Sequence, residues 1–147
     1  MDRFSPLTIA LILLTSCSSD ENTAPDNNNF LPDIGVNIPV NLNLPEYNRL
    51  KFPGGSYEFR DIGIDNNGVI VYNIDGNQFT AFDLTDPNHP IKDCSKLIVK
   101  GIEASCTCDD GNVYDILTGQ RRKNPGQGFT LRPYIATKNG NSLFIRN

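Results

Sequence analysis

Eight side chains between positions 86 and 110 hold most of the chemistry available to this sequence: Asp86, Asn88, His89, Cys94, Cys106, Cys108, Asp109 and Asp110. They fall into two groups, 86–94 and 106–110, on either side of a short apolar stretch. Imidazole nitrogen, thiolate sulfur and carboxylate oxygen together suit a borderline divalent ion. Asp86, His89, Cys106 and Asp109 are therefore a candidate mononuclear metal site if the two groups face each other. The same residues also read as turn chemistry. Asp86-Pro87-Asn88 is what a tight turn wants, with Asx side chains capping nearby N–H groups, and Asp109-Asp110-Gly111-Asn112 repeats that composition. His89 is the chain's one histidine, and a lone imidazole is more often a partly exposed loop residue than a ligand.

Other catalytic constellations lack support. With one His and no Gly-x-Ser-x-Gly, a Ser-His-Asp hydrolase is not indicated. The nearest approach to a phosphate-cradling loop is Asn124-Pro125-Gly126-Gln127-Gly128, which does not match one. Asp109-Asp110 as a general acid and base has no pocket-forming aromatics beside it. Cys106 is a second candidate for thiol-redox chemistry, yet nothing flanking it is basic enough to lower a thiol pKa. Arg121-Arg122-Lys123 reads as a contact for a protein or an anionic glycan or, as such runs more often are, as a solvated loop. The formal net charge of -4 and a pI near 4.8 set a nucleic-acid partner aside, because phosphate binding needs a concentrated basic surface.

Strands and turns must position these groups. A chain of 147 residues has room for one domain with a modest core. Its composition, 38% hydrophobic with 12 Gly, 10 Pro and no Trp, favours an all-β fold of short strands. Val36, Ile38, Val40, Leu42 and Leu44 alternate with polar residues, as a half-buried strand does, and Pro39 confines that strand to an edge or a bulge. Residues 46–55 read as loop with Leu50 and Phe52 tucked beneath the sheet. Ser56 to Asp61 is a second strand with Tyr57 and Phe59 on one face, and Asp65-Asn66-Asn67-Gly68 is a turn. Residues 69–74 and 78–83 make a hairpin around Asp75-Gly76. Further pairs are 97–100 with 102–106, and 129–136 with 142–145 across Asn139-Gly140. No stretch sustains a helical period, and no repeat is present.

The N-terminus reads as an address. Arg3 precedes the apolar run 7–14, too short to span a bilayer and suited to a secretory leader. Leu14-Thr15-Ser16-Cys17 resembles the bacterial lipobox, which implies a signal peptide at 1–16 and lipidation of Cys17. Residues 17–33 are then a polar, flexible tether. Acyl chains on Cys17 would hold the protein to the cell envelope at the outer membrane, facing either the periplasm or the cell surface. Asp20-Glu21 resembles the export signal of Bacteroidetes surface lipoproteins, and reads equally as an acidic solvated tether.

Four segments in order carry a resemblance across residues 36–145: Ala81-Phe82-Asp83-Leu84-Thr85, Cys106-Thr107-Cys108, Tyr114-Asp115-Ile116-Leu117-Thr118-Gly119 and Leu131-Arg132-Pro133-Tyr134. Together they resemble the Rieske iron–sulfur domain. The resemblance implies a sandwich or barrel base over 34–147, with a small two-loop β subdomain inserted at about 83–128. In that family a Cys-x-His box and a Cys-x-Cys-His box clamp a [2Fe–2S] cluster. Carried over, the ligand positions are Asp86 for Cys, Asn88 for His, Cys106 for Cys and Asp109 for His, so only Cys106 survives. A shift of one residue that admits His89 still leaves one thiolate and one imidazole. Carboxylates are hard donors poorly matched to an iron–sulfide core, and no cluster is expected.

The resemblance also implies a disulfide between Cys94 and Cys108 that leaves Cys106 unpaired. Cys94 with Cys106 stands as a competitor, since Cys106 and Cys108 point the same way on a strand. Closing a loop of roughly 15 residues is worth about 3 kcal/mol in the chain-entropy view. The leading expectation is a lipid-anchored, cluster-less Rieske-like domain without catalysis of its own, acting as a structural or binding module. An electron-transfer protein with unusual cluster ligands comes second, and a mononuclear metal or thiol-redox domain third.

Overall fold

The alternation that opens the domain sets one of its edges. In the computed structural model, which describes residues 30–123 and 125–147, Val36, Ile38, Val40 and Leu42 are buried while Asn37, Pro39 and Asn41 face solvent. This is period two with one covered face. Strand β1 (Asn37–Asn41) lies at the end of its sheet, where a proline without an N–H is tolerated. The leader at 1–16, Cys17 and the tether as far as residue 29 lie outside the described residues. Packing already includes Leu31, which is buried, and Phe30, whose ring meets Phe129 edge-on.

Leu44 does not continue the buried set. The chain leaves the strand after Leu42 and enters a 3-10 helix, Pro45–Lys51, opened by proline in its first turn, and Leu44 is exposed. That helix also separates the two residues expected beneath the sheet. Leu50 is fully buried but Phe52 is 65% exposed. An extended loop would put residues two apart on one side, whereas a helix of three residues per turn does not. Strand β2 (Ser56–Phe59) follows, with Tyr57 meeting Tyr47 from the helix edge-on at a centroid distance of 4.9 Å and Phe59 lying tilted against it at 5.8 Å. Asp65, Asn66 and Gly68 take positive φ in the turn before β3 (Val69–Asn73). The Asp75-Gly76 turn then returns the chain as β4 (Phe79–Asp83), with Asp75 Oδ1 accepting the N–H groups of Asn77 and Gln78.

Strands β5 (Ile98–Lys100), β6 (Glu103–Ser105) and β7 (Val113–Asp115) form a separate antiparallel sheet. They occupy the stretch between β4 and β8 (Pro133–Asn139), where the insertion was expected. β8 turns at Gly140 into β9 (Ser142–Arg146), and the base sheet runs β1-β9-β8-β4-β3-β2. β8 is divided along its length. Pro133 and Tyr134 pair with β4, and Ile135 to Asn139 pair with β9. The fold is therefore all-β, a curled six-stranded base with a three-stranded insertion.

Two cores follow from this arrangement. Val36, Ile38, Val40, Leu50, Val69, Val71, Ala81, Leu143 and Ile145 fill the inside of the base. Ile70, Phe82 and Leu84 point the other way and meet Leu97, Ala104, Tyr114 and Ile116 of the insertion, with Leu131. Because the insertion covers the second face of β3 and β4, Val69-Ile70-Val71 reads as an unbroken apolar run rather than an alternation. Gly119 (φ +73°) is needed where the insertion touches Phe82, since a Cβ there would stand 2.6 Å from the ring.

A buried polar knot marks the exit from β4. Asp83 Oδ2 accepts from the Ile64 N–H and the Tyr134 hydroxyl, each at 2.8 Å, and Oδ1 accepts from the Thr85 N–H at 2.9 Å. Thr85 Oγ1 in turn donates to the Ile64 carbonyl and accepts from Asn67 Nδ2. Burial pushes the Asp83 carboxyl above its ordinary value, and its donors pull it back only in part. Tyr134→Phe removes one donor and is expected to cost about 1 kcal/mol in urea unfolding. Asp83→Asn sets an amide N–H₂ against buried donors and costs on the order of 2 kcal/mol. A folded-state pKa above the unfolded one means the folded chain holds the proton more tightly. This stabilisation is full below the unfolded value and is lost as pH rises through the folded one. The stability gap between wild type and Asp83→Asn is thus expected to widen as pH falls toward 3.8; a gap that narrows would contradict the assignment.

Candidate functional site

Two loops project from the inserted sheet and face each other. The first leaves β4 and returns through a bridge of Thr85 with Lys96, the Asp86 N–H bonding the Ser95 carbonyl at 2.9 Å. A short 3-10 turn, Asp93–Ser95, ends it. The second joins β6 to β7 and is closed by the Cys106 N–H on the Asn112 carbonyl at 2.8 Å. Cys94 on the first and Cys108 on the second are linked by a disulfide, with Cα atoms 5.1 Å apart, and Cys106 is free. The competing Cys94–Cys106 pairing is thereby excluded.

Asp86 lies fully buried between the loops. Its Oδ1 accepts from the Tyr114 hydroxyl at 2.5 Å and the Asn88 N–H at 2.9 Å, and Oδ2 accepts from Asn112 Nδ2 at 3.0 Å. Burial alone would raise its pKa, but donors from Tyr114, Cys106, the Asn88 backbone and Asn112 more than offset this and hold the carboxyl below its ordinary value. The turn chemistry expected of Asp86-Pro87-Asn88 is present. The Asx bond to Asn88 shapes the turn that delivers Asp86 to the centre.

Asn88 has another task. Its Oδ1 accepts from the Phe129 N–H at 2.7 Å, and its Nδ2 donates to the Phe129 carbonyl at 2.8 Å and the Tyr114 oxygen at 2.7 Å. The amide thus stitches the 121–131 segment to both loops and points no lone pair at a shared centre.

His89 Nδ1 lies 2.9 Å from the Pro90 carbonyl, which can only accept, so that nitrogen carries the hydrogen. Nε2 then faces Cys106 Sγ at 3.3 Å, Asp86 Oδ2 at 3.5 Å and Asp110 Oδ2 at 3.4 Å. Asp86, His89, Cys106 and Asp110 each place one ligand atom within 4.8 Å of the others. The expected acid was Asp109. Both acids are exposed residues of the turn, but it is the Asp110 carboxylate that is held toward His89, by the Asn112 N–H and Nδ2 donating to it at 3.2 and 2.9 Å. Successive side chains in a tight turn diverge, and the Asx bond decides which one faces in.

Burial, then the neighbouring Asp86 carboxylate, push the Cys106 thiol up to about 12. It is a protonated donor at neutral pH and not a nucleophile. The basic triplet is mostly committed within the domain. Arg121 bonds the Asn112 side-chain oxygen, and Arg122 pairs with Asp115 at 2.8 Å and Glu103 at 3.3 Å.

These residues do not fit a [2Fe–2S] cluster. A Rieske-type two-iron core takes two thiolates on one iron and two imidazoles on the other, set apart by the width of the iron–sulfide rhomb. Here one free thiol and one imidazole converge on a space fit for a single ion. Tyr114 and Asn112 are the site residues not singled out by sequence. Tyr114 sat inside a quoted motif, while Asn112 looked like any turn asparagine.

Digestion without reductant is expected to yield one linked peptide pair, Cys94 with Cys108. Iodoacetamide should alkylate native Cys106 on the order of a thousandfold more slowly than an unperturbed thiol at pH 8, following its thiolate fraction. Rapid labelling of Cys106 in the folded chain would contradict the burial described.

No protein-family model matches the chain, and no curated protein matches it. Among solved structures it is similar to the ferredoxin of carbazole 1,9a-dioxygenase from Nocardioides aromaticivorans IC177. The two share 18% identity over 64% of this chain and 86% of that one, with a TM-score of 0.41. It is also similar to a chain in a complex of reduced oxygenase and oxidized ferredoxin in carbazole 1,9a-dioxygenase. Here identity is 17% over 77% and 93% of the two chains, with a TM-score of 0.46. At such identities the likeness is one of fold alone.

Proposed function

We propose that this is a lipid-anchored protein of the cell envelope whose Rieske-like domain carries no iron–sulfur cluster and serves as a binding module without catalysis of its own. One observation carries the reading. Of the positions where the resemblance would place ligands, Asn88 is spent on Phe129 and Tyr114, Asp109 faces solvent, and Asp86 is a carboxylate held by Tyr114 and Asn112. Cys108, next to the surviving Cys106, is consumed in the disulfide. Hydrogen bonds and one covalent bridge therefore do the joining that a metal cluster would do.

The address is supported by sequence. The apolar run at 7–14 and Leu14-Thr15-Ser16-Cys17 fit a cleaved leader and a lipidated cysteine. A disulfide between the loops suits an oxidising compartment. Asp20-Glu21 fits the export signal of surface lipoproteins and equally an acidic solvated tether. With Arg121 and Arg122 engaged internally, a protein partner fits better than an anionic glycan gripped by that triplet.

Protein purified anaerobically is expected to be colourless, with acid-labile sulfide well below one per chain. Two irons and two sulfides with a rhombic EPR signal on reduction would overturn the cluster-less reading. Cys17→Ala should move the protein from the membrane to the soluble fraction, and its retention in washed membranes would overturn the anchor.

A further inference from the structure

We propose that the facing loops bind one divalent cation through Asp86 Oδ2, His89 Nε2, Cys106 Sγ and Asp110 Oδ2, zinc being the ion that best matches this donor set. The inference rests on the reading that these loops carry no iron–sulfur core. Asp86, His89, Cys106 and Asp110 each place one ligand atom within 4.8 Å of the others, and Nε2 stands 3.3, 3.5 and 3.4 Å from Cys106 Sγ, Asp86 Oδ2 and Asp110 Oδ2. A tetrahedral zinc with bonds of about 2.0–2.3 Å sets its donors roughly 3.3–3.7 Å apart. The three distances from Nε2 fall within that range.

Each donor is aimed by a second bond, as metal ligands are. The Pro90 carbonyl takes the Nδ1 hydrogen and turns the Nε2 lone pair inward. Tyr114 and the Asn88 N–H hold Asp86 by its other oxygen, and the Cys108 N–H approaches Cys106 Sγ at 3.4 Å. Asn112 orients both carboxylates with one amide, whose own oxygen is fixed by Arg121. The alternative occupant is a proton on His89. A single Nε2 hydrogen points at one acceptor, whereas two carboxylate oxygens and a thiol sulfur that can give up its proton surround that nitrogen. A dication meets all of them at once.

The donor types narrow the ion. Calcium and magnesium demand six or more oxygens, which the site does not offer. Thiolate and imidazole with carboxylates suit zinc. On binding, the Cys106 S–H bond breaks, its proton passes to solvent and the thiolate takes the metal, with no change of oxidation state. The ion enters from the Asp110 side. Side-chain exposure rises from 0% at Asp86 through 16% at His89 to 32% at Asp110, where a cleft lined by Lys92 and Thr107 opens to water.

The test uses the oxidised full-length chain, stripped with a chelator and titrated with zinc chloride by calorimetry, then with cobalt(II) by absorption. Expected are one equivalent of zinc and, with cobalt, tetrahedral d–d bands plus a thiolate charge-transfer band that is lost in Cys106→Ser. Asp110→Asn, at a partly exposed position, is expected to weaken zinc binding about 10- to 100-fold, and His89→Ala at least as much, while Asp109→Asn changes nothing. Absence of stoichiometric uptake, or uptake that Asp110→Asn and His89→Ala leave intact, overturns the site. Two sulfides per chain in the same preparation would instead overturn the reading beneath it. Metal-free and sulfide-free protein, with His89 found protonated by NMR, would leave that reading standing and assign the pocket to an ion pair.

Discussion

A carboxylate taken out of water must be met by donors, and in this domain Asp86 is the carboxylate on which the geometry of the loops depends. Its partners come from three segments: Asn88 on its own loop, Asn112 on the second loop, and Tyr114 on β7. The loops cannot part without taking the Asn112 donor away from that buried charge. Asp83, three residues earlier, does the same for the base by joining the Ile64 turn to Tyr134 on β8. The end of β4 is thus a polar spine between two apolar cores, one carboxylate serving each side.

The disulfide acts beside this network and differs from it in kind. Cys94–Cys108 restrains the unfolded chain, by about 3 kcal/mol for a loop of this size, but it does not aim any donor. Aiming falls to the shorter-range bonds of Asn112, Tyr114 and the Pro90 carbonyl. Covalent restraint keeps the loops near each other, and hydrogen bonding decides which atoms face inward.

Most of the base was legible in sequence because its signals are local. Alternation over 36–42, the Asp75-Gly76 turn and the Gly140 turn each announce their structure within a few residues. The disulfide followed from resemblance rather than from spacing, which left Cys106 in contention. Leu44 and Phe52 were misplaced because a 3-10 helix replaced an extended loop, and nothing but Pro45 hinted at it. In the site, Asp86, His89 and Cys106 were visible as chemistry-bearing types. The exchange of Asp109 for Asp110 was not, since it turns on one side-chain bond within a four-residue turn. Asn112 was invisible for a related reason: its role is set by Arg121 on a neighbouring segment.

The divided strand β8 bears on the order in which the molecule assembles. Its far half zips with β9 across a two-residue connection, an event local in sequence that belongs to the microsecond range typical of hairpins. Its near half can meet β4 only after the whole insertion has been looped out between them, so the entropy of that closure falls on just two residue pairs, Ala81 with Tyr134 and Phe82 with Pro133. Closure of the base by β8 on β4 is therefore the high-contact-order step, and the edge of β4 stays open until β8 pairs with it.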